Sequence, residues 1–172
     1  VKDGVYFFNF DKLTQWIDMA HRCGIEYFEL AHFYTQWGAK HAPKIMATVD
    51  GTYKKIFGWK TRANSRKYKH FLTMLSVELK KYLEERNLKN KVFIHVSDEP
   101  NAAMLRSYKK ASMHIHSLFE GYKIVDALSD YSFYEKKIVS NPIPATDHID
   151  KFIGKADNLW TYYCSAQKSH NV

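Results

Sequence analysis

The sequence predicts an α/β protein in which parallel strands are covered by helices. Helical and strand patterns alternate along the chain, the strands are almost continuously apolar, and no linker or low-complexity segment divides the 172 residues. Strands of this kind are usually buried on both faces, as in parallel sheets. The length suits a hydrophobic core, so we expect residues 1–172 to form a single domain.

The first half of the chain alternates two predicted helices with two predicted strands. An apolar stripe predicts a helix over Phe10–Cys23, and Gly24 is suited to ending it. A short strand over Ile25–Ala31 follows. The next stretch is long and irregular apart from a possible strand over Lys44–Val49, and such stretches in compact domains are usually functional. The longest predicted helix spans Ser65–Asn87.

The second half contains the strongest predicted strand, Lys91–Val96, because β-branched and aromatic residues dominate it. A helix over Asn101–Glu120 and a strand over Lys123–Leu128 follow. Three weaker elements complete the prediction: a strand over Ile138–Ile143, a short helix over His148–Ile153 and a strand over Leu159–Cys164.

Five or six strands are too few to close a (β/α)8 barrel, which needs eight strand–helix units and about 250 residues. The last predicted strand has no helix after it. We therefore predict a TIM-type (β/α)8 barrel that is partial and truncated at its C-terminus. The alternative is a complete, small, doubly wound domain.

Composition bears on partners and compartment. The net charge is +8, but the charge is spread out, and its densest run, Lys60–Lys69, favours a solvated helix face over a nucleic-acid patch. No apolar run reaches the length of a membrane span, and the first residues lack the pattern of a signal peptide. Two distant cysteines make no disulfide framework. Neither the compartment nor the oligomeric state follows from these features.

Two neighbouring carboxylates, Asp98 and Glu99, come directly after the strongest strand. In parallel α/β folds the carboxyl ends of the strands carry the active site. Adjacent carboxylates disfavour joint ionisation, so one of them tends to keep its proton, as a general acid requires. Pro100 disfavours helical geometry at Glu99, which predicts an extended backbone there. The alternative is an ordinary acidic pair at a helix N-terminus.

The adjacency of the pair also limits the mechanism. In an ordinary retaining glycosidase the two carboxylates lie about 5–5.5 Å apart and flank the bond that breaks. Sequence neighbours cannot easily straddle a bond, but they suit a reaction in which the sugar's own 2-acetamido oxygen attacks the anomeric carbon. Asp98 would then orient the acetamido group and stabilise the oxazolinium ring, and Glu99 would protonate the leaving oxygen and later activate water.

Six segments together resemble glycoside hydrolase family 123: Glu29–Ile45, Ile56–Thr61, Phe93–Pro100, Val125–Tyr134, Asn141–Ile149 and Leu159–Gln167. The resemblance covers almost the whole chain and lies nearest to an uncharacterised bacterial branch. It implies a (β/α)8 barrel and retaining, substrate-assisted hydrolysis of 2-acetamido-2-deoxy-β-hexosides, with β-N-acetylgalactosaminides expected. It places the catalytic pair on Asp98 and Glu99 and implies no metal or organic cofactor. Relatives usually continue beyond the last segment, so the fragment alone is expected to be incomplete.

Further polar and aromatic residues are candidate sugar contacts. The tryptophans of the long stretch offer stacking surfaces or hold that stretch in place, and a tyrosine after Leu128 could aim the acetamido group. Trp160, Tyr162 and Tyr163 alternate along a strand, so at least one of them packs. The candidates for substrate binding are His32, Trp37, Trp59, Tyr131, Tyr134 and Tyr162.

A carbohydrate is therefore the predicted partner, and a non-catalytic carbohydrate-binding barrel is the alternative to an enzyme. A metal site is not predicted. His114 and His116 are two residues apart on a predicted helix, so they face different directions and cannot easily chelate one ion. A nucleic-acid partner would rest on the net charge alone.

Overall fold

Parallel strand pairs run through the structure, a computed structural model that describes residues 1–162. The α-helices are α1 Asp11–Arg22, α2 Arg66–Glu85, α3 Leu105–Leu118 and α4 Ser132–Glu135, and 3-10 helices span Ala102–Met104 and Thr146–Lys151. The strands are β1 Phe28–Glu29, β2 Ile45–Val49, β3 Thr52–Phe57, β4 Val92–Ile94, β5 Lys123–Ile124, β6 Asp126–Ala127 and β7 Pro142–Ile143.

The parallel pairs follow the order of the chain. Strand β1 pairs with β4, β4 pairs with β5, and β6, which directly follows β5, pairs with β7. A parallel bridge between Ala145 and Tyr162 continues the series. The predicted α/β class is confirmed, although the sheets are small and no closed barrel forms within residues 1–162.

Helices α1, α2 and α3 lie close to their predicted positions, although α3 begins differently, and α4 was not predicted. The predicted helix Asn101–Glu120 starts as the 3-10 turn Ala102–Met104 and becomes α-helical only at Leu105. The Asn101 side chain caps this turn by accepting a hydrogen bond from Ala103 N at 3.1 Å. This tighter turn separates the carboxylate pair from the body of α3.

The possible strand at Lys44–Val49 is one arm of an antiparallel hairpin, β2–β3, whose second arm we did not predict. Asp50 and Gly51 connect the arms, and both have positive φ, 48° and 84°. An Asp-Gly pair between two strands is a strong hairpin signal, because both central residues of such a turn need positive φ. The sequence therefore contained the information for this hairpin.

Much of the high aromatic content is buried between the helices and the parallel strands. Tyr68 and Tyr108 are fully buried on α2 and α3. Phe57 packs its ring 5.1 Å from Tyr68, and Phe133 packs 5.4 Å from Tyr108. Core packing thus explains many of the aromatic residues without any role in ligand binding.

Two further predictions concern the last strand and membrane spans. Of the predicted strand Leu159–Cys164, the structure shows the bridge at Tyr162, and residues 163 and 164 lie outside the described residues. Trp160 packs against Phe93, with ring centroids 5.0 Å apart. Within residues 1–162 no helix is both long and apolar enough to cross a bilayer.

Candidate active site

The carboxylate pair lies just beyond the carboxyl end of β4. Ser97, the residue before the pair, is completely buried. Its hydroxyl donates a hydrogen bond of 2.8 Å to the carbonyl oxygen of Thr35, in the loop that follows β1. Asp98 is partly buried and Glu99 is exposed. The chain therefore leaves a tightly held position immediately before the two acidic side chains.

A buried carboxylate, Asp126, holds the backbone that leads to the pair. Only 1% of this residue is exposed. Its Oδ1 accepts hydrogen bonds from Val96 N at 2.8 Å and Ser97 N at 3.3 Å, and its Oδ2 accepts a short one from the Tyr108 hydroxyl. These amides would normally bond a carbonyl of a neighbouring strand. The Asp126 side chain takes that place just beyond the end of β4.

His95 lies between two carboxylates behind the site. Its Nδ1 is 3.4 Å from Asp126 Oδ1, and its Nε2 contacts Glu29 Oε1. Burial lowers the pKa of His95, but the hydrogen bond and charge of Asp126, together with the charge of Glu29, outweigh burial and raise this pKa above its usual value. The two acidic groups thus stabilise the imidazolium form of His95 relative to a free histidine.

Asp98 is held from the loop after β1. Its Oδ2 accepts a hydrogen bond of 2.8 Å from Gln36 Nε2, and its carbonyl oxygen accepts one of 3.1 Å from Trp37 N. His32 lies near enough to be affected by the Asp98 charge. Burial lowers the pKa of His32, and the Asp98 carboxylate only partly opposes that shift. A neutral imidazole and an amide therefore accompany the Asp98 carboxylate.

The turn of this loop depends on a glycine. Trp37 and Gly38 both have positive φ, 55° and 104°. A Cβ on Gly38 would lie 2.8 Å from the Cβ of Met104, in the 3-10 turn that follows the pair. Glycine supplies both the backbone conformation and the close approach. The Gly38 turn thereby packs the loop that holds Asp98 directly against the next segment of the site.

Glu99 is not extended, and our prediction for its backbone is wrong. Its φ is 42°, in the left-handed region that non-glycine residues rarely adopt. Its amide donates a hydrogen bond of 3.2 Å to the carbonyl of Ala127, which turns the chain across the end of β6. Such a backbone costs about 1–3 kcal/mol and persists where its surroundings impose it. Pro100 excludes right-handed helical geometry without enforcing extension.

The Glu99 side chain meets Tyr162 and borders a cavity. The Tyr162 hydroxyl donates a hydrogen bond of 2.6 Å to Glu99 Oε1. The cavity has a volume of about 640 Å³, and Glu99, Asp130, Tyr131 and His148 are among its lining residues. This volume lies within the range of small-molecule sites. The cavity, hereafter the Glu99 cavity, can accommodate a sugar beside a carboxyl group.

The remaining candidates divide into two groups. Trp37 is 56% exposed, in the loop that contacts Asp98. Trp59 is 61% exposed on the turn after β3, and no hydrogen bond or ring contact within the described part of the chain joins it to the pair. The Tyr134 hydroxyl donates to the carbonyl of Lys155 at 2.6 Å, outside the lining of the Glu99 cavity. The structure gathers His32, Trp37, Tyr131 and Tyr162 around Asp98 and Glu99, but not Trp59 or Tyr134.

Sequence reasoning missed three residues that shape the site: Gln36, His95 and Asp126. Asp126 carried a usable signal, because a charged residue inside an apolar strand is rarely buried without partners. Gln36 carried none, since its contact with Asp98 spans 62 residues of sequence.

No evidence for a metal centre emerges from the described residues. His114 Nδ1 lies 2.8 Å from the Tyr34 hydroxyl, whereas His116 Nδ1 lies 2.9 Å from the Ser112 carbonyl oxygen. The two imidazoles thus have separate partners. Within residues 1–162, no three His, Cys, Asp or Glu side chains are arranged to hold an ion.

Comparison with known proteins identifies the family. No curated protein matches the chain. A solved structure of a family 123 glycoside hydrolase from Clostridium perfringens, studied for glycolipid glycan hydrolysis, matches with a TM-score of 0.56 at 18% identity. The match covers 84% of this chain and 25% of that one, so this chain spans about a quarter of that protein's length and shares its fold there. The family description "Glycoside hydrolase 123, catalytic domain" matches residues 1–172, and the chain belongs to this family.

Proposed function

We propose that the protein is a glycosidase that cleaves 2-acetamido-2-deoxy-β-hexosides, with β-N-acetylgalactosaminides as the expected substrates, by a retaining, substrate-assisted mechanism. The observation that carries this proposal is the unequal environment of the pair. Asp98 is partly buried and held by Gln36, while Glu99 is exposed on the wall of a cavity. Membership of family 123 supports glycoside hydrolysis.

In the first step the acetamido oxygen attacks the anomeric carbon and the glycosidic C–O bond breaks. Glu99, as a carboxylic acid, gives its proton to the leaving oxygen. Asp98 remains ionised, accepts a hydrogen bond from the acetamido N–H and stabilises the oxazolinium ring that forms. Groups held in position before the reaction lower its barrier.

In the second step water attacks the anomeric carbon and the oxazolinium ring opens. Glu99, now a carboxylate, accepts the proton of that water, which restores its starting form and gives net retention. The hydrogen bond from the Tyr162 hydroxyl holds one Glu99 oxygen in place, so that the other can face the substrate. Tyr131, which lines the same cavity, would contact the acetamido carbonyl.

We further propose that residues 1–172 are part of a single (β/α)8 barrel domain. The parallel segments pair in the order of the chain. A doubly wound sheet reverses its strand order at a switch point, whereas a barrel does not. The described residues contribute β1, β4, the β5–β6 stretch, β7 and the Tyr162 bridge to such a barrel, and further strands would close it.

The test uses the full-length parent protein and aryl 2-acetamido-β-glycosides of galactosamine and glucosamine. We expect Glu99→Gln to lower kcat by about 10²–10⁴-fold, as for loss of a general acid. Glu120→Gln, an exposed carboxylate away from the pair, serves as the matched control and should retain wild-type turnover. A thiazoline analogue of the oxazolinium ion should inhibit the wild type.

Wild-type turnover by Glu99→Gln would contradict the assignment. Equal glycan affinity of the wild type and Glu99→Gln, with turnover by neither, would instead identify a non-catalytic carbohydrate-binding barrel. Inversion at the anomeric carbon, followed by NMR of the first product, would exclude the substrate-assisted route.

A further inference from the structure

A second, larger groove lies beside the loop that holds Asp98. It has a volume of about 990 Å³ and is bounded by α2, α3 and the loop segment that includes Ala39 and His41. None of its lining residues is a carboxylate. Five cationic side chains line this basic groove: Lys40, Arg62, Lys69, Arg106 and Lys110.

These cations are not neutralised by their neighbours. The Lys and Arg ion pairs found within residues 1–162 involve Lys81, Arg86, Lys89 and Lys91, none of which lines the groove. Five like charges on one concave surface create a strong positive potential. This potential acts on the protein's own groups. Burial lowers the pKa of His114, which lines the groove, and the Lys69 charge lowers it further.

The helix ends increase this potential. Lys69 lies in the first turn of α2 and Arg106 in the first turn of α3, and neither helix has an acidic residue in that turn. Helix N-termini carry partial positive charge, so stability favours carboxylates there, as at Asp11 on α1. The groove therefore has cations where the folded chain alone would favour anions. An arrangement that lowers stability in this way is expected at a binding site.

We propose that the basic groove binds a sulfate or carboxylate group of an anionic glycan whose 2-acetamido sugar occupies the Glu99 cavity. The choice of a carbohydrate rests on the proposed function; the choice of an anion rests on the five cations. The two sites are close. The Trp37 amide donates a hydrogen bond to the carbonyl oxygen of Asp98, the residue before Glu99. Lys40, in the lining of the basic groove, follows Trp37 by three residues, a span of at most about 11 Å along the chain.

The two sites differ in charge in a way that assigns the anionic group to the groove. The Glu99 cavity is lined by the carboxylates of Asp130 and Glu135 in addition to Glu99, and by one cation, Lys151, so that its charge disfavours anions. The basic groove has none. Trp37, 56% exposed in the connecting loop, offers an aromatic ring on which a further sugar can stack. A glycan with a neutral 2-acetamido sugar and a separate anionic group would thus match the opposite charges of the two sites.

The experiment compares a groove variant with a charge-matched control in the full-length parent protein. The groove variant is Arg106→Gln/Lys110→Gln on α3, and the control is Lys67→Gln/Lys109→Gln, which removes one exposed cation from α2 and one from α3, both outside the groove. Calorimetry measures binding of a chondroitin sulfate hexasaccharide, its desulfated form and its desulfated, carboxyl-reduced form. These three probes carry sulfate and carboxylate, carboxylate alone, and neither.

We expect the groove variant to bind the sulfated hexasaccharide about tenfold or more weakly than the wild type, since it loses charge-assisted hydrogen bonds. The control should change this affinity by about twofold at most. Retained affinity for the desulfated form would assign the carboxylate as the recognised group, and its loss would assign the sulfate. The groove variant should also unfold at or above the wild-type temperature, because it relieves repulsion among the groove cations and between Arg106 and the N-terminus of α3.

Equal losses in the two variants would contradict the proposal, as would a lower unfolding temperature of the groove variant. If random-sequence DNA binds more tightly than the hexasaccharide, with a steep salt dependence that the groove variant loses, the ligand of the groove would be a nucleic acid and not a glycan. Turnover of a neutral aryl 2-acetamido-β-glycoside should be unchanged in the groove variant. Absence of that turnover in the wild type would count against the glycosidase, whereas hexasaccharide binding tests the groove independently.

Discussion

Asp98 and Glu99 are adjacent in sequence but lie in different surroundings. Asp98 is partly buried, and both its side chain and its carbonyl oxygen accept hydrogen bonds from the loop after β1. Glu99 is exposed, has a left-handed backbone and contacts Tyr162 through its side chain. The two carboxyl groups thus have different partners, Gln36 for Asp98 and Tyr162 for Glu99.

This difference would allow two sequence neighbours to act in the two proposed roles. A group that stabilises a cationic ring works best when its position does not change during the reaction. A group that donates a proton and later accepts one needs access to the substrate and to water. The surroundings of Asp98 meet the first requirement, and those of Glu99 meet the second.

The largest effect is expected at Asp126, whose side chain holds the backbone of Val96 and Ser97 just before Asp98. Asp126→Ala would leave the amides of Val96 and Ser97 and the Tyr108 hydroxyl without their buried acceptor. We expect the free energy of unfolding to fall by about 3–5 kcal/mol. Urea unfolding of the full-length protein measures this change. Asp150→Ala, at an exposed position, is the control, and equal stability of the two variants would refute the role of Asp126.

The next effect concerns Asp98 itself. Asp98→Asn keeps the shape of the side chain and an oxygen that can accept from Gln36, but it removes the charge that would stabilise the proposed oxazolinium ring. We expect kcat to fall by about 10²–10³-fold, as when an electrostatic contact to a transition state is lost. Steady-state kinetics with an aryl 2-acetamido-β-glycoside gives the value. Unchanged kcat would leave Asp98 with a structural role only.

A smaller effect is expected on the exposed side. Tyr162→Phe removes the hydrogen bond to Glu99, and we expect kcat to fall about tenfold, the equivalent of about 1.4 kcal/mol. Tyr53→Phe, at a position 69% exposed, is the matched control. The decisive measurement is a double-mutant cycle: Tyr162→Phe should have no further effect in a Glu99→Gln background. Additive losses would mean that Tyr162 acts independently of Glu99.

The smallest effect is a pH dependence at His95. This side chain lies between Glu29 and Asp126, and the charge of Asp98 also raises its pKa. Because its pKa is raised in the folded protein, its stabilising contribution is complete below about pH 6.5 and is lost as the pH rises through the raised pKa. The difference in unfolding free energy between the wild type and His95→Gln should therefore shrink from pH 6 to pH 9. A difference that grows with pH would contradict this sign.

Much of the site could be predicted where the signal is local. Strand β4 is a dense apolar run, so its end, and hence the position of Asp98 and Glu99, followed from the sequence. The bond from Gln36 to Asp98 joins segments that become neighbours only when β1 pairs with β4, and no local pattern encodes it.

The backbone of Glu99 was mispredicted for a similar reason. Its φ depends on a hydrogen bond to Ala127, 28 residues away, whereas the sequence rule considered only the following Pro100. Asp126 and the Asp50-Gly51 turn are different, because both carried local signals that could have been used. Long-range pairing, rather than lack of pattern, thus limits what the sequence reveals about this site.

The most direct test of the unequal pair is the dependence of kcat/KM on the leaving group. Full-length Glu99→Gln and Asp98→Asn are each assayed with 4-nitrophenyl and 2,4-dinitrophenyl 2-acetamido-β-glycosides. The dinitrophenolate leaves without a proton, so the loss in Glu99→Gln should shrink about tenfold or more with this substrate, while the loss in Asp98→Asn should stay the same. Losses that respond equally to the leaving group in both variants would contradict the division of roles between Asp98 and Glu99.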